Sequence, residues 1–406
     1  MAAQKEQRHG VIVVGAGIAG LSAAWELEQK NIDVAVIEMA PTYGGTGLTS
    51  EGALCIIGTP EQEQGGDPDD PRMAYADFMT AGRDEQGPGP NAEWVNYYVK
   101  ESRREIYDWL TGFGVRFEKK VILMPDNTVP RWHKVVGKGR GLLEPIYRDC
   151  GKNGKVKFYY RFKAVSLLRD KSGRIEGVRT LRLKDVAQID FFAPVVILAT
   201  GGFQSNLDMV RKNWPKDLPF PDEILIGGGL NADGSGHAMA KTVGARLDNM
   251  HYQLNYPTGL KRPSNATGHR GLNAYTDHSI WVNKTGKRFM NESRDTRKTF
   301  PEVVRQPGGT YWAIFDNEAR KVFHVSGWSR QLVESELFNN PQYSEVVKSA
   351  MTIRELGVAA GLSPETLEET VRRWNEMVTA GRDKDFGRIG TSRSVWAHPP
   401  RIEKPP

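Results

Sequence analysis

Val11-Ile12-Val13-Val14-Gly15-Ala16-Gly17-Ile18-Ala19-Gly20 is the stretch on which the reading of this chain turns. The four β-branched residues make a run too short for a helix and suited to a strand buried on both faces. Three glycines follow at once in the spacing G-x-G-x-x-G, and Leu21, Ala23, Ala24, Trp25 and Leu27 continue as helix. Asn31-Ile32-Asp33 interrupts that helix, and Val34-Ala35-Val36-Ile37-Glu38 is a second apolar run that ends in a carboxylate. Strand, glycine turn, helix and strand, with the acid eighteen residues beyond Gly20, form the dinucleotide-binding fingerprint. Gly15 permits the tight turn, Gly17 and the Ala16 backbone beside it let main chain approach a diphosphate, and Gly20 lets helix and sheet pack closely. The diphosphate is expected on N–H groups at the positive end of the helix. Glu38 is expected to accept hydrogen bonds from a ribose diol, where a carboxylate disfavours a 2′-phosphate.

Composition narrows the class. The chain has 406 residues, 55 Lys and Arg against 49 Asp and Glu, and a formal net charge of +6. The positive excess is spread out, with no basic block interleaved with aromatics, which argues against nucleic acid and for a small anion. With 39% hydrophobic and 26% charged residues the chain reads as globular, and its length predicts two or three domains. Glycine is the outlier: 43 residues, about one in ten against a usual ~7%, which points to loops where backbone approaches something closely. No apolar run nears the ~20 residues of a membrane span, and no signal peptide opens the chain, so a cytoplasmic protein without a membrane span is expected. Cys55 and Cys150 make neither a disulfide framework nor a four-ligand metal site, so no metal is expected.

Further along, residues 58–70 and 83–90 read as exposed loops rich in Gly, Pro and Asp. Trp94, Val95, Tyr98 and Val99, then Ile106, Trp109 and Leu110, fall on one helical face. Stretches 157–168, 174–183 and 191–200 read as strands joined by hairpins. Ser363-Pro364 is an N-cap with a first-turn proline, opening a helix whose buried stripe is Leu367, Val371, Trp374 and Val378. Three more glycine loops stand out: Gly44-Gly45-Thr46-Gly47 through Gly52, Ala199-Thr200-Gly201-Gly202-Phe203 after the run Val195-Val196-Ile197-Leu198, and Asn231-Ala232-Asp233-Gly234-Ser235-Gly236 before a helix over 238–243.

Taken together and in this order, these motifs resemble the FAD flavoprotein family of fumarate reductases and succinate dehydrogenase flavoprotein subunits. That family also holds 3-ketosteroid Δ1-dehydrogenases and tricarballylate dehydrogenase. The resemblance is carried by the Ala199–Phe203 turn with Asn206 after it, by Asp233-Gly234, by Asn283-Lys284-Thr285-Gly286-Lys287-Arg288-Phe289-Met290-Asn291-Glu292, and by Asp385-Phe386-Gly387-Arg388. The stretch 297–316, with Gln306-Pro307-Gly308 inside it, is most similar to the tricarballylate branch. It implies an α/β fold: a Rossmann-like FAD-binding domain of the glutathione-reductase type over 1–249 and an α+β capping domain over 250–406, with substrate between them. It also implies FAD binding by Gly15, Ala16, Gly17, Gly20, Glu38, Gly44, Gly45, Thr46, Gly52, the main chain at Val165, Ala199, Thr200, Gly201, Asp233 and Gly234. Thr46 stands where the respiratory enzymes carry a flavin-linked histidine, so the FAD is expected to be non-covalent.

The same resemblance implies hydride transfer between flavin N5 and one carbon of a CH–CH bond activated by a carboxylate or ketone, with a proton moving at the neighbouring carbon. In fumarate reductases an arginine four residues after the equivalent of Glu292 gives that proton; here Thr296 holds the position, flanked by Arg294 and Arg297. Arg297 is the first candidate and Arg294 the second, with Glu292 or Asp295 as relay, because an arginine alone is a poor acid. Tyr256 replaces a substrate-holding histidine, which sets fumarate itself in question. Tyr256 either hydrogen-bonds a substrate carbonyl or is an interface aromatic, and His269 and Arg270 are further substrate-binding candidates. The expected partners are a small anionic acid, saturated or unsaturated, and a separate electron donor or acceptor, since no haem or iron–sulfur cysteine pattern is present. Two other readings stand beside this one. A 3-ketosteroid Δ1-dehydrogenase-like enzyme would use Tyr256 or Tyr275. A non-catalytic or truncated flavin-binding fragment would follow from the family's continuation past the equivalent of Pro406, in which case the 406-residue chain would hold FAD weakly and turn over poorly.

Overall fold

A computed structural model describes residues 7–82, 89–124, 127–263, 270–293, 296–389 and 401–402; at Arg297 only the backbone is described. The chain divides into two compact units. The first comprises residues 1–123, 127–212 and 228–250, and the second 124–126, 213–227 and 251–406.

The first unit is organised by a four-stranded, all-parallel sheet in the order Val195–Leu198, Val11–Val14, Val34–Glu38, Val156–Tyr160. Every residue of Val11–Val14 and Val34–Glu38 is buried, as continuous apolar runs in a sheet covered on both faces require. Helix Ile18–Gln29 follows the glycine turn and buries Gly20, Leu21 and Ala24. Its one buried acid, Glu28, accepts N–H groups from Gly151 and Asn153 at 2.6 and 3.1 Å. A second sheet runs Gln7–Arg8, Ala187–Phe192, Ile175–Arg182, Phe162–Arg169, its last three strands antiparallel.

Two of the three expected strands are divided. Stretch 157–168 breaks at Arg161, which takes φ 61°, so Val156–Tyr160 joins the parallel sheet and Phe162–Arg169 the antiparallel one. Stretch 191–200 breaks before Val195, where Pro194 has no N–H to give a ladder. The loop expected over 58–70 also differs. It contains helix Pro60–Gln64, closed by a capping box between Thr59 and Gln62, and it delivers Asp69 to Arg131, both side chains fully buried at 2.7 Å. Asp77 is the second acid on that guanidinium. The helical face over 94–110 buries Val99 and Leu110 but leaves Trp94 70% exposed, because the stripe is centred on Val95, Tyr98 and Val99. Burial pushes the thiols of Cys55 and Cys150 up to about 12.

The second unit is built on helix Pro364–Thr379, capped by Ser363 as the sequence indicates, with Leu367, Val371, Trp374 and Met377 buried. Antiparallel strands Ile280–Val282 and Trp312–Ile314 lay Ile280, Val282 and Ile314 on that helix. The Arg288 guanidinium stacks on Trp374 at 4.3 Å from the ring centroid. A three-stranded sheet, Gly259–Lys261, Gly271–Tyr275 and His324–Val325, completes the unit's strand pairing among the described residues. No described helix is long and apolar enough to cross a membrane. Because Trp374 is fully buried and carries a guanidinium on its face, Trp374→Ala is expected to lower unfolding free energy by about 3–5 kcal/mol. Urea titration followed by near-UV circular dichroism checks this, and a loss under about 1 kcal/mol would contradict the packing described.

Candidate functional site

The glycine turn is held from several sides by main chain. Gly15 takes φ 108° and donates its N–H to the Ile37 carbonyl at 2.8 Å. A Cβ there would overlap the Ala199 carbonyl, and one on Gly20 would overlap the carbonyl of Gly15. Gly17 is different. It caps helix Ile18–Gln29 with extended backbone and no side-chain cap, and a Cβ on it would meet nothing within 4 Å. Gly201, at φ 74°, also faces open space, and a Cβ on Gly45 would touch only the Gly17 Cα, at 3.9 Å. Backbone at Gly17 and Gly45 thus borders open space at the helix N-terminus, whose cap residue offers no side-chain acceptor, which is what a diphosphate needs. Glu38, 8% exposed, closes the turn from below: its two oxygens accept the N–H groups of Ala16 at 2.8 Å and Ala40 at 2.7 Å. One lone pair on each oxygen remains for a sugar hydroxyl.

The second glycine loop meets the first where Gly44 donates to the Ala16 carbonyl at 2.7 Å, and Thr46 lies in the short helix Gly45–Thr49 that follows. Sequence reasoning missed what supports this loop. Gly137, Gly139 and Gly141 open helix Lys138–Asp149, and a Cβ on Gly139 would overlap the Gly47 carbonyl. Gly139 donates to the Ser50 carbonyl at 3.1 Å, Val135 donates to the Gly52 carbonyl at 2.9 Å, and Lys138 pairs with Glu51 at 2.9 Å. The alternating glycines Gly137-Lys138-Gly139-Arg140-Gly141 were a readable sign of such a close approach.

On the third side, Ala199 donates to the Val14 carbonyl at 2.8 Å and Thr200 packs against Gly236, where any Cβ would strike its hydroxyl. Asp233 accepts the Ser235 N–H at 2.9 Å and pairs with Lys163 at 3.1 Å, a partner no local motif announced. Burial opposes its charge, but Ser235 and Lys163 hold its carboxyl below the usual carboxylate range. Gly234, at φ 77°, turns the chain into helix Ser235–Thr242. Val165 sits at a register shift in Phe162–Arg169, where the ladder passes from Ala164 to Ser166, and it is 38% exposed. Such a bulge leaves a peptide group out of the ladder. Gly15, Gly17, Gly20, Glu38, Gly44 and Ala199 are thus joined at the glycine turn, while Val165 lies in strand Phe162–Arg169.

The catalytic candidates lie in the second unit. Arg294 and His269 fall outside the described residues, as does Asp295, and Arg297 is placed in helix Thr296–Val304 by backbone alone. Tyr256 is 60% exposed and Arg270 is exposed. Glu292 is buried in an ion network. It accepts Arg288 Nε–H and Nη2–H at 2.9 Å each, the Trp281 N–H at 3.0 Å and Arg388 Nη1–H at 3.3 Å. Burial works against its charge, and the two arginines nonetheless hold it below the usual carboxylate range, so it keeps its negative charge at neutral pH. Glu292, Thr258, Tyr275, Asp277 and Thr296 line a pocket of about 120 Å³. Burial raises the Asp277 carboxyl to about 6 against a partial offset from Arg388. No group of His, Cys, Asp and Glu among the described residues could hold a metal.

Comparison with known proteins gives this geometry a family. The profile of the FAD binding domain matches residues 10–403. The chain belongs to that family, and its cofactor is FAD. A KsdD-like steroid dehydrogenase of Mycolicibacterium smegmatis is 30% identical over 78% of this chain and 63% of its own length. Fumarate reductase (cytochrome) of Shewanella frigidimarina is 28% identical over 95% of this chain and 63% of its own. The chain thus spans 63% of the length of both relatives. The 3-ketosteroid delta1-dehydrogenase of Sterolibacterium denitrificans, solved with 1,4-androstadiene-3,17-dione, shares the fold, with a TM-score of 0.76, 17% identity and coverage of 98% of this chain and 84% of that one.

Two tests follow. Gly17→Ala should leave the melting temperature of the FAD-free protein within about 2 °C while weakening FAD retention about tenfold or more; Gly20→Ala should lower both. Equal FAD retention in Gly17→Ala would deny the cradle. The second concerns Asp277. Its carboxyl holds a proton more tightly folded than unfolded, so its contribution is full below about 4 and is lost as pH rises through about 6. Asp277→Asn should therefore gain stability relative to the parent between pH 4 and 8, by about 3 kcal/mol. A pH-independent difference in thermal melts would show that the carboxyl titrates normally.

Proposed function

We propose that this chain forms the flavin-binding and capping parts of an oxidoreductase that acts on a CH–CH bond activated by a carboxylate or ketone. In this reading a Rossmann-like domain covers 1–249 and an α+β capping domain 250–406. The observation that carries it is the uncapped helix turn at Gly17, which opens onto unfilled space bordered by Gly45. Those residues are assigned to the diphosphate of FAD, Glu38 to its ribose and the Val165 peptide to its adenine; lone pairs left on Glu38 and the register shift at Val165 support the last two. When bound, FAD supplies the hydride donor or acceptor.

The remaining steps are assigned to side chains. Arg297, with Arg294 as second candidate, gives or takes the proton at the carbon next to the one exchanging hydride, and orients the activating carboxylate. Free arginine holds its proton to pH of about 12.5 or above, so this role needs a partner that restores it. Asp295 is that partner in sequence. Glu292, with both oxygens engaged by Arg288 and Arg388, serves the site as a positioning group, fixing the strand and turn from which helix Thr296–Val304 departs. Tyr256, His269 and Arg270 contribute hydrogen bonds or charge to the substrate, a small anionic acid, and a separate carrier exchanges electrons. A ketosteroid-type substrate is the second reading, supported by the 30% identity to a steroid dehydrogenase and by Tyr275 at the small pocket.

The test is anaerobic. Protein reconstituted with FAD is reduced with dithionite and mixed with unsaturated acids, and return of the visible flavin absorbance is timed. Reoxidation by acids supports the first substrate class, whereas flavin reduction by saturated ketosteroids supports the second. Arg297→Ala should slow the proton-coupled step about a hundredfold or more, with a smaller loss in Arg294→Ala. Unchanged rates in both variants would overturn the arginine assignment.

A further inference from the structure

We infer that the second unit carries a binding site for a neutral, flat, largely apolar molecule, in an aromatic-walled cavity between its paired strands and the segment 345–350. The cavity lies wholly in this unit and measures about 600 Å³, within the range of roughly 300–1,000 Å³ that holds drug-sized ligands.

Its shape follows from strand alternation. In the pair Ile280–Val282 and Trp312–Ile314, Ile280, Val282 and Ile314 turn toward the long C-terminal helix. Trp281, opposite Ala313 in the register, belongs to a different cluster and stacks on Tyr311 with ring centroids 4.2 Å apart at 22°. This stack forms one wall. Another is an aromatic cluster in which Phe323 lies 5.3 Å from both Phe315 and Phe338. Flat rings stack on aromatic faces, so a half-open cavity of this size with two aromatic walls fits them.

Charge selects a neutral occupant. The lining carries no net charge: Asp222, Glu223, Asp316 and Glu345 stand against Lys261, Lys284, Arg320 and Lys348. Of these, Lys261 pairs with Glu223 at 2.6 Å, and Arg320 pairs with Glu334 at 2.7 Å while stacking on Phe338. Lys284 shares a crevice with Asp222; a Cβ on Gly308 would lie 2.6 Å from its ammonium and 3.0 Å from that carboxylate. Glu345 and Lys348 enter the wall three residues apart. A carboxylate or phosphate moved in among the rings would lose its hydration with no net positive charge in the lining to replace it. The cavity shares Thr258 and Tyr275 with the small pocket beside Glu292, but the inference rests on the second unit alone and needs no bound flavin.

The test uses the full chain with N-phenylnaphthylamine, a neutral two-ring fluorophore, and naphthoate as its anionic counterpart. Saturable enhancement of the neutral probe is expected at about one per chain, with quenching of tryptophan emission because Trp281 and Trp312 both line the cavity. Naphthoate should bind at least about tenfold more weakly. Ala350→Phe, which fills the cavity from a position outside helix and strand, should weaken the probe about tenfold or more, and Phe323→Ala should weaken it independently. Circular dichroism confirms that each variant folds, and titration at saturating FAD shows whether the probe has entered the cofactor site instead. Absence of saturation, equal or tighter binding of naphthoate, loss of binding with FAD, or indifference to both substitutions would each overturn the inference.

Discussion

Glu38 holds the first unit's turn together. Its carboxylate receives the Ala16 N–H from the glycine turn and the Ala40 N–H from its own strand end, at 2.8 and 2.7 Å, in a position 8% exposed. Charge-assisted bonds of this kind are about twice as strong as neutral ones, and burial raises the cost of breaking them. They fix the turn against the sheet; Gly15 then sits against Ala199, Gly20 against Gly15, and Gly44 against Ala16. The open face of Gly17, with Gly45 beside it, is left by that packing. A cradle made of main chain is only as well placed as its supports, and here one carboxylate ties two of them.

The second unit is tied by charge as well, although more deeply. Glu292 draws in Arg288, Arg388 and the Trp281 N–H, and Asp383 closes the network from the far end of the long helix. Arg388 also donates to the carbonyls of Ser279 at 2.6 Å and Asp277 at 2.5 Å. Buried ion networks of this sort give up much of their attraction to desolvation, so their yield is register more than stability. Strand Ile280–Val282, the turn after it and the segment 383–388 are thereby held in one arrangement. The same arrangement sets the direction of Trp281 and the burial of Asp277.

Much of this was legible because it is local. A β-branched run, three glycines and an acid at fixed spacing specify strand, turn, helix and strand with no reference to the rest of the chain, and Ser363-Pro364 announces its helix in the same way. Residues whose meaning depends on distant partners were not legible. Asp69 looks like loop polarity until Arg131 arrives from sixty-two residues away. Lys163 gives no sign that it will meet Asp233, and Arg161 none that its φ of 61° will send adjoining strands into different sheets. The catalytic region divides similarly. The motif through Glu292 could be read, but not that Glu292 would be locked by two arginines, one of them ninety-six residues on.

The bulge at Val165 carries one more implication. A peptide group set out of its ladder offers the same donor and acceptor whichever side chain it bears. A contact made there therefore leaves no trace in residue identity: valine can drift to isoleucine, threonine or alanine with the hydrogen-bonding atoms untouched, and only proline, lacking the N–H, would silence the donor. Recognition placed in the main chain is shielded from ordinary amino-acid exchange, and for the same reason it is hidden from anyone who compares sequences by letter alone.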